Sequence, residues 1–185
     1  MSSTILKIAA RDRKLCAMAQ ICVDLLQGHN LSSRLIGWFG GGEQVSHAAG
    51  VLADGRYLDS RSDRVGSVPP GVHIRDPRLE TCTRRIRATL NATQTEYEDW
   101  EANLQAKIGD AYGVRDIEDF ILERDGHIPA HYICSALQIN ALQHIRRVRY
   151  PLRVPAHNIS PNVLATVLDV IGAAWSDVTL AYRQD

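Results

Sequence analysis

The chain has 185 residues, of which 45% are hydrophobic and 23% charged, and its 21 basic and 21 acidic side chains give a formal net charge of zero. These values predict a single globular domain over residues 1–185, too apolar for a disordered chain and large enough to bury a full core. The balanced charge argues against a nucleic-acid partner, because phosphate-binding proteins usually carry a basic excess. No apolar run approaches the roughly 20 residues that a membrane span needs, so we expect no integral membrane segment.

The first predicted element is a core helix over residues 11–27, ended by Gly28. Its apolar residues recur at three- and four-residue intervals: Leu15, Met18, Cys22 and Leu25. Gln20 and Asp24 interrupt this run and no small-residue cleavage site follows, which argues against a secretory signal. We therefore expect a cytoplasmic or phage-associated protein whose cysteines are reduced.

A β-hairpin is predicted next, because a strand of small apolar residues at 47–52 is followed by an Asp-Gly turn dipeptide at 54–55 and a second strand. The length of the connection decides which residues share a face of the sheet. A two-residue turn would place Ser60 on the face that carries His47. A three-residue loop would place Asp59 there instead. The sequence alone leaves both registers open.

The remaining pattern predicts an α+β fold, with a small, mostly antiparallel sheet flanked by helices. Residues 62–78 are predicted as a loop, and residues 83–90 as a third strand with Arg85 on its exposed face. Helical patterns follow at 93–107, 114–122, 134–145 and after Ser160, and a last strand is predicted at 177–182. Thr93 or Thr95 can cap the first of these helices.

Cys134 is predicted in the first turn of a helix that follows an irregular loop. Free amides and the helix dipole at that position favour a thiolate and can also bind the oxyanion of an acyl intermediate. The alternative is a buried structural cysteine on the apolar face beside Leu137.

A cysteine nucleophile needs an imidazole to take its proton and a polar group to orient that imidazole. Of the seven histidines, His47 is the best candidate, because it begins a strand of small residues that leaves room for another element. Its alternative role is an ordinary hydrogen-bonded histidine at a strand end. Asp59, on the paired strand, is the best candidate for the orienting group, and Ser60 is its rival.

The segment 46–52, the polar Asp59 on the following strand and the Cys134-Ser135 pair at a helix start together resemble the permuted NlpC/P60 (papain-like) cysteine hydrolases. That group includes YiiX-like proteins and the relatives of lecithin:retinol acyltransferase. Its members carry the histidine, the polar residue and the cysteine in this chain order. The resemblance covers approximately residues 35–142.

The resemblance implies a circularly permuted papain-like fold and a cysteine peptidase or amidase that forms a thioester, with no metal or cofactor. A small peptide or acyl-amide is the implied substrate class, a cell-wall peptide being typical of the family. The implied catalytic residues are Cys134, His47 and Asp59. The family's G-x-x-Y motif matches residues 109–112, so Tyr112 is expected to line the site or to stabilise the oxyanion.

Ser135 and His131 are further expected at the substrate-binding side of the site. A zinc site formed by His127, His131 and Cys134 is disfavoured, because Pro129 keeps the two histidines off one helical face and no fourth ligand is evident. Two other functions stay open: a binding or structural module that uses the same groove, and a thiol acyltransferase directed at lipids.

Overall fold

The computed structural model describes residues 18–28, 45–113, 131–148 and 159–182. Over these residues the fold is α+β, as predicted, with a six-stranded antiparallel sheet, a two-stranded parallel sheet and three α-helices. The strands are β1 (Met18–Gln27), β2 (His47–Val51), β3 (Tyr57–Arg61), β4 (Gly71–Arg75), β5 (Arg84–Thr93), β6 (Ala111–Tyr112), β7 (His131–Tyr132) and β8 (Ala174–Asp177). The helices are α1 (Gln94–Gln105), α2 (Cys134–His144) and α3 (Pro161–Val170). The predicted helix at 114–122 lies outside the described residues.

The large sheet has the strand order β4-β3-β2-β1-β5-β8, and every neighbouring pair is antiparallel. β1 and β5 pair along ten residues, from Met18 opposite Thr93 to Gln27 opposite Arg84. This long ladder forms the centre of the sheet. β2 and β3 lie on one side of it and carry two of the predicted site residues.

The helix predicted over residues 11–27 is wrong in its described part, because Met18–Gln27 is a strand. Three of its side chains face the main core: Ile21, Val23 and Leu25. Leu26 is buried on the opposite face of the sheet and Cys22 is half-buried beside it. Because both faces of this central strand are covered, its apolar residues form a continuous run that also satisfies helical spacing.

Two other predicted segments differ from the structure. Residues 62–78, predicted as a loop, contain β4 and a short 3-10 helix at Pro77–Leu79. The last strand was predicted at 177–182, but the observed strand β8 is Ala174–Asp177 and therefore ends at the residue where the predicted strand begins. A 3-10 helix follows at Thr179–Tyr182. Both errors come from short elements bounded by turn-forming residues, where sequence pattern carries little information.

The face of the sheet opposite the helices buries a polar cluster that we call the Asp24 network. The fully buried Asp24 accepts hydrogen bonds from the Tyr57 hydroxyl (2.5 Å) and from Arg87 Nε (2.7 Å). Arg85, predicted to be exposed, is buried, with its guanidinium stacked 4.0 Å from the centroid of the Tyr182 ring. The final 3-10 helix supplies that ring and thereby covers this side of β5.

Helix α1 begins at Thr93, which was one of two predicted caps. The Thr93 hydroxyl accepts from the Glu96 amide at 3.2 Å, and the Glu96 carboxylate accepts from the Thr93 amide at 2.8 Å. This reciprocal capping box fixes where the helix starts. The buried side chains of α1 are Tyr97, Trp100 and Leu104, and they pack against the sheet in the main core.

Helix α2 is buried along most of its length and packs against β2 and β3. Gln138 Nε2 donates to the Leu58 carbonyl at 3.1 Å, which ties the middle of the helix to β3. Gly50 of β2 lies so close to the helices that an added Cβ would be 3.0 Å from Gln138 Oε1 and 3.0 Å from Trp100 Cζ2. This close approach brings the first turn of α2 to the ends of β2 and β3. Among the described residues, no helix is long and apolar enough to cross a membrane.

Candidate active site

Cys134 is the first residue of α2 and is separated from β7 by one residue, Ile133. The preceding residue, Ile133, has no side chain that can accept a hydrogen bond, so the first-turn amides of the helix have no side-chain cap. Such amides favour a negative charge. The Ser60 hydroxyl donates to the Tyr132 carbonyl at 2.5 Å and holds the strand that leads into the helix. Cys134 is 4% exposed.

The β2–β3 hairpin has a three-residue loop at 53–55, since Leu52 donates to the Arg56 carbonyl and Gly50 pairs with Leu58. This register places His47 and Asp59 on the same face. His47 Nε2 lies 2.7 Å from Asp59 Oδ2, and the Asp59 side chain is fully buried. Of the two polar residues that the sequence left as rivals, Asp59 is thus the one that contacts His47.

Ser46 fastens the chain just before His47 to the end of β1. Its hydroxyl donates to the Leu26 carbonyl at 3.3 Å and accepts from the Gly28 amide at 3.0 Å. Ser46 therefore helps to fix the point at which the histidine enters the sheet.

The His47 ring also lies close enough to Cys134 for the two side chains to interact through charge and hydrogen bonding, so one imidazole faces both the carboxylate of Asp59 and the thiol. Because Nε2 is engaged by Asp59, Nδ1 is the ring nitrogen left for the sulfur. The His47 side chain is 13% exposed. The nucleophile, base and orienting group that the sequence suggested are therefore brought into one chain of contacts.

His47 and Cys134 shift each other's pKa. Burial by itself lowers the pKa of His47, but the charge of the Cys134 thiolate and the hydrogen bond with Asp59 outweigh it and raise the pKa to about 10. Burial by itself raises the pKa of Cys134, but the His47 imidazolium and the hydrogen bond it donates lower it below its ordinary value. Both directions favour a thiolate–imidazolium pair over the neutral pair.

A backbone amide gives the sulfur a second hydrogen bond. In β2 the amide of every second residue points toward β3, and these residues are Leu52, Gly50 and Ala48. The ladder between the two strands, however, contains only the pairs made by Gly50 and Val51, so it does not extend to Ala48. The Ala48 amide instead donates to the Cys134 sulfur and helps to lower the pKa of that thiol. The two strands thus open where the helix begins, and a main-chain donor becomes part of the site.

Tyr112 lies beside Cys134 because two backbone pairings place it there. Asp110 accepts from the Val72 amide and Gly109 donates to the Val72 carbonyl, both at 2.9 Å, which ties the start of β6 to β4. Tyr112 then pairs in parallel with Tyr132, two residues before Cys134. Burial first, and then the negative charge of the Cys134 thiolate, raise the pKa of Tyr112, so its hydroxyl is kept protonated and can donate.

Arg75 is a site residue that sequence reasoning missed. Its side chain is fully buried and its Nη1 forms an ion pair with Asp59 Oδ1, the carboxylate oxygen that does not face His47. Arg75 fell in the segment predicted as a loop. The signal that could have revealed it is the apolar alternation of Val72 and Ile74 between turn formers, which predicts a short strand ending at Arg75.

Two further predicted residues have different outcomes. Ser135 is fully buried and its hydroxyl donates to the Ile159 carbonyl, so that side chain joins α2 to the segment before α3 and is not free to bind a substrate. The side chain of His131 lies outside what the structure describes, as does His127. The His127–His131–Cys134 motif therefore has no described geometry.

Neither a scan against protein-family models nor a search of curated proteins finds a match to this sequence. The geometry of Cys134, His47 and Asp59 is consequently the basis on which a function can be argued.

Proposed function

We propose that this chain is a cysteine-dependent hydrolase that cleaves an amide bond, in a small peptide or an N-acyl amine, through a thioester intermediate. The observation that carries the proposal is the placement of the Cys134 thiol, at the start of its helix, beside a His47 ring held 2.7 Å from Asp59, with a lowered pKa on the thiol and a raised pKa on the ring. A thiolate at neutral pH is the reactive form of cysteine. A structural cysteine needs no such partner.

In the proposed reaction the Cys134 thiolate attacks the substrate carbonyl carbon and a carbon–sulfur bond forms. The carbonyl π electrons move to oxygen, where the Cys134 amide at the helix start and the Tyr112 hydroxyl would donate to the oxyanion. The His47 imidazolium then gives its proton to the amine nitrogen as the carbon–nitrogen bond breaks.

The second half of the reaction uses the same groups. Neutral His47 takes a proton from water as the water oxygen attacks the thioester carbonyl, and the carbon–sulfur bond breaks to release the acid and restore the thiolate. Asp59 holds Nε2 throughout, which keeps the other ring nitrogen directed at the reacting atoms. No step in this sequence requires a metal or an organic cofactor, so we expect chelators to leave turnover unchanged.

The proposed fold is a permuted papain-like fold. It is supported by the order of the histidine, carboxylate and cysteine along the chain and by a cysteine helix packed on an antiparallel sheet. A cell-wall peptide is the substrate that the family resemblance implies. A thiol acyltransferase would use the same thioester but deliver the acyl group to an acceptor other than water.

The first test is alkylation by iodoacetamide, mapped to each cysteine by peptide mass spectrometry across a range of pH. We expect Cys134 to react faster than Cys22 and Cys82 near neutral pH, and His47→Gln to remove most of that advantage. The other cysteines of the same sample serve as internal controls. Slow and equal alkylation of all sites would contradict the proposal and favour a binding module.

The second test is acyl transfer with 4-nitrophenyl acetate. The wild-type protein should release a stoichiometric burst of 4-nitrophenol and carry one acetyl group on Cys134, whereas Cys134→Ala should show neither. Decay of the acetyl-enzyme in water indicates a hydrolase. An acetyl-enzyme that persists until an amine or alcohol is added indicates an acyltransferase.

A further inference from the structure

The guanidinium of Arg75 is a fully buried charged group beside Asp59. Besides its ion pair with Asp59 Oδ1, Nη1 donates to the Asp59 carbonyl at 3.2 Å. Its other terminal nitrogen donates to the carbonyls of Pro69 (3.1 Å) and Gly71 (2.9 Å). The Arg75 side chain is 0% exposed and donates to protein acceptors from both terminal nitrogens.

The two oxygens of Asp59 are divided between two cations. Oδ1 faces Arg75 and Oδ2 faces His47. A fully buried carboxylate without a cationic partner takes up a proton, because burial disfavours its charge. Arg75 supplies a cationic partner for Asp59 that does not depend on the protonation of His47.

Arg75 also supports the segment that leads into β6 and Tyr112. It holds the turn at 69–71, and the Cα of Gly71 lies against the backbone of Asp110, so closely that an added Cβ would be 2.6 Å from the Asp110 carbonyl oxygen. Gly71 has φ +107°, a conformation that favours glycine. Asp110 leads directly into β6, which carries Tyr112.

We propose that Arg75 is a positioning residue for the reaction: it holds the Asp59 carboxyl group turned toward His47 and anchors the turn that supports Tyr112. This inference rests on the proposed function, since the thiolate–imidazolium pair is what Asp59 would stabilise. Arg75 acts through Asp59 and does not touch the reacting atoms.

Two other charged groups near the pair, Arg61 and Asp63, are paired with each other. Arg61 Nε lies 2.8 Å from Asp63 Oδ1, and Arg61 also forms an ion pair with Glu80. Of these, Asp63 interacts electrostatically with His47, and Arg61 with Asp59. Tyr112 is a further titratable group near Cys134, and His73 lies opposite Asp59 in the ladder between β3 and β4. None of these residues contributes the second ion pair that Asp59 makes with Arg75.

The test is the pH dependence of Cys134 alkylation by iodoacetamide in Arg75→Met and Arg75→Lys. In Arg75→Met, Asp59 loses its permanent cation, so the pH at which the thiolate forms should rise by about one unit and alkylation near neutral pH should slow about tenfold. Arg75→Lys keeps the charge but reaches fewer acceptors, and it should restore part of the difference. Arg87→Met, which removes a comparable ion pair with Asp24 that does not include Asp59, His47 or Cys134, is the matched control and should lower stability without moving the profile.

A double variant separates positioning from structure. If Arg75 acts through Asp59, Arg75→Met should add nothing to the shift already caused by Asp59→Asn. Additive shifts, or a wild-type profile in folded Arg75→Met, would overturn the inference, and so would loss of the fold in both variants, which would make Arg75 a structural residue. If wild-type Cys134 itself titrates as an ordinary thiol, the proposed function fails instead.

Discussion

Gly50→Ala is the substitution that most directly tests how the cysteine helix is seated on the sheet. A methyl group at this position would lie 3.0 Å from Gln138 Oε1, 3.0 Å from Trp100 Cζ2 and 3.1 Å from Leu104 Cδ1. Favourable carbon contacts are about 3.5–4.0 Å long, so each neighbour must retreat by roughly half an ångström. Gln138 and Trp100 are fully buried, and a retreat of one moves the helix that carries it.

We expect a net destabilisation of about 1–3 kcal/mol, the usual range for adding a methylene to a packed core. A stiffer unfolded chain offsets about 0.4–1 kcal/mol of the steric cost, because alanine restricts the unfolded state more than glycine does. Since α2 is one of the elements that must give way, the distance between Cys134 and His47 should also grow. Alkylation of Cys134 near neutral pH should therefore slow down.

Urea denaturation gives the free energy of unfolding, and mapped iodoacetamide alkylation gives the reactivity of Cys134. Gly172→Ala is the matched control, because Gly172 has φ +87° and no atom within 4 Å of the added Cβ. It should cost stability through backbone strain and leave Cys134 unaffected. A Gly50→Ala protein as stable and as reactive as the wild type would refute the close packing of β2 against the helices.

Two other outcomes follow from the charges. Asp24→Asn breaks a buried ion pair with Arg87 and should cost about 3–5 kcal/mol in urea denaturation. Cys134 alkylation should stay at its wild-type rate, because Asp24 bonds Arg87 and Tyr57 and not the groups of the Cys134 site; slower alkylation would show that the two networks are coupled. The pKa of His47 is raised from 6.5 to about 10, so the stability that its protonation contributes is complete below pH 6.5 and is lost as the pH rises through 10. The difference in unfolding free energy between wild type and His47→Gln should shrink over that interval, and a difference that is constant with pH would contradict the raised pKa.

The hairpin that carries His47 and Asp59 was predictable because its signals are local. Small apolar residues, an Asp-Gly dipeptide and a returning alternation identify two strands within 15 residues of chain. The cysteine helix was predictable for the same reason. The register between the strands was not, since it depends on whether Ala53 belongs to the loop, and both loop lengths are compatible with the residues.

What the sequence did not reveal depends on contacts between distant segments. The central strand β1 carries apolar residues on both faces, a pattern that arises only when neighbouring strands and covering elements are in place. The burial of Arg75 depends on the carbonyls of a turn and on Asp59, none of which can be recognised from the residues adjacent to Arg75. The donor at Ala48 is a main-chain amide, and a sequence carries no sign of where such a group points.

The three-residue connection between β2 and β3 has a consequence for which changes of chain length this protein tolerates. Surface loops usually accept inserted or deleted residues, because their lengths matter little to the elements they join. Here the deletion of a single residue at 53–55 would turn the following strand over and present the neighbouring serine to the imidazole in place of the carboxylate. The tip of the loop at 53–55 is exposed and makes no contact with the site. Even so, deleting one of its residues should impair the site as much as replacing Asp59 would.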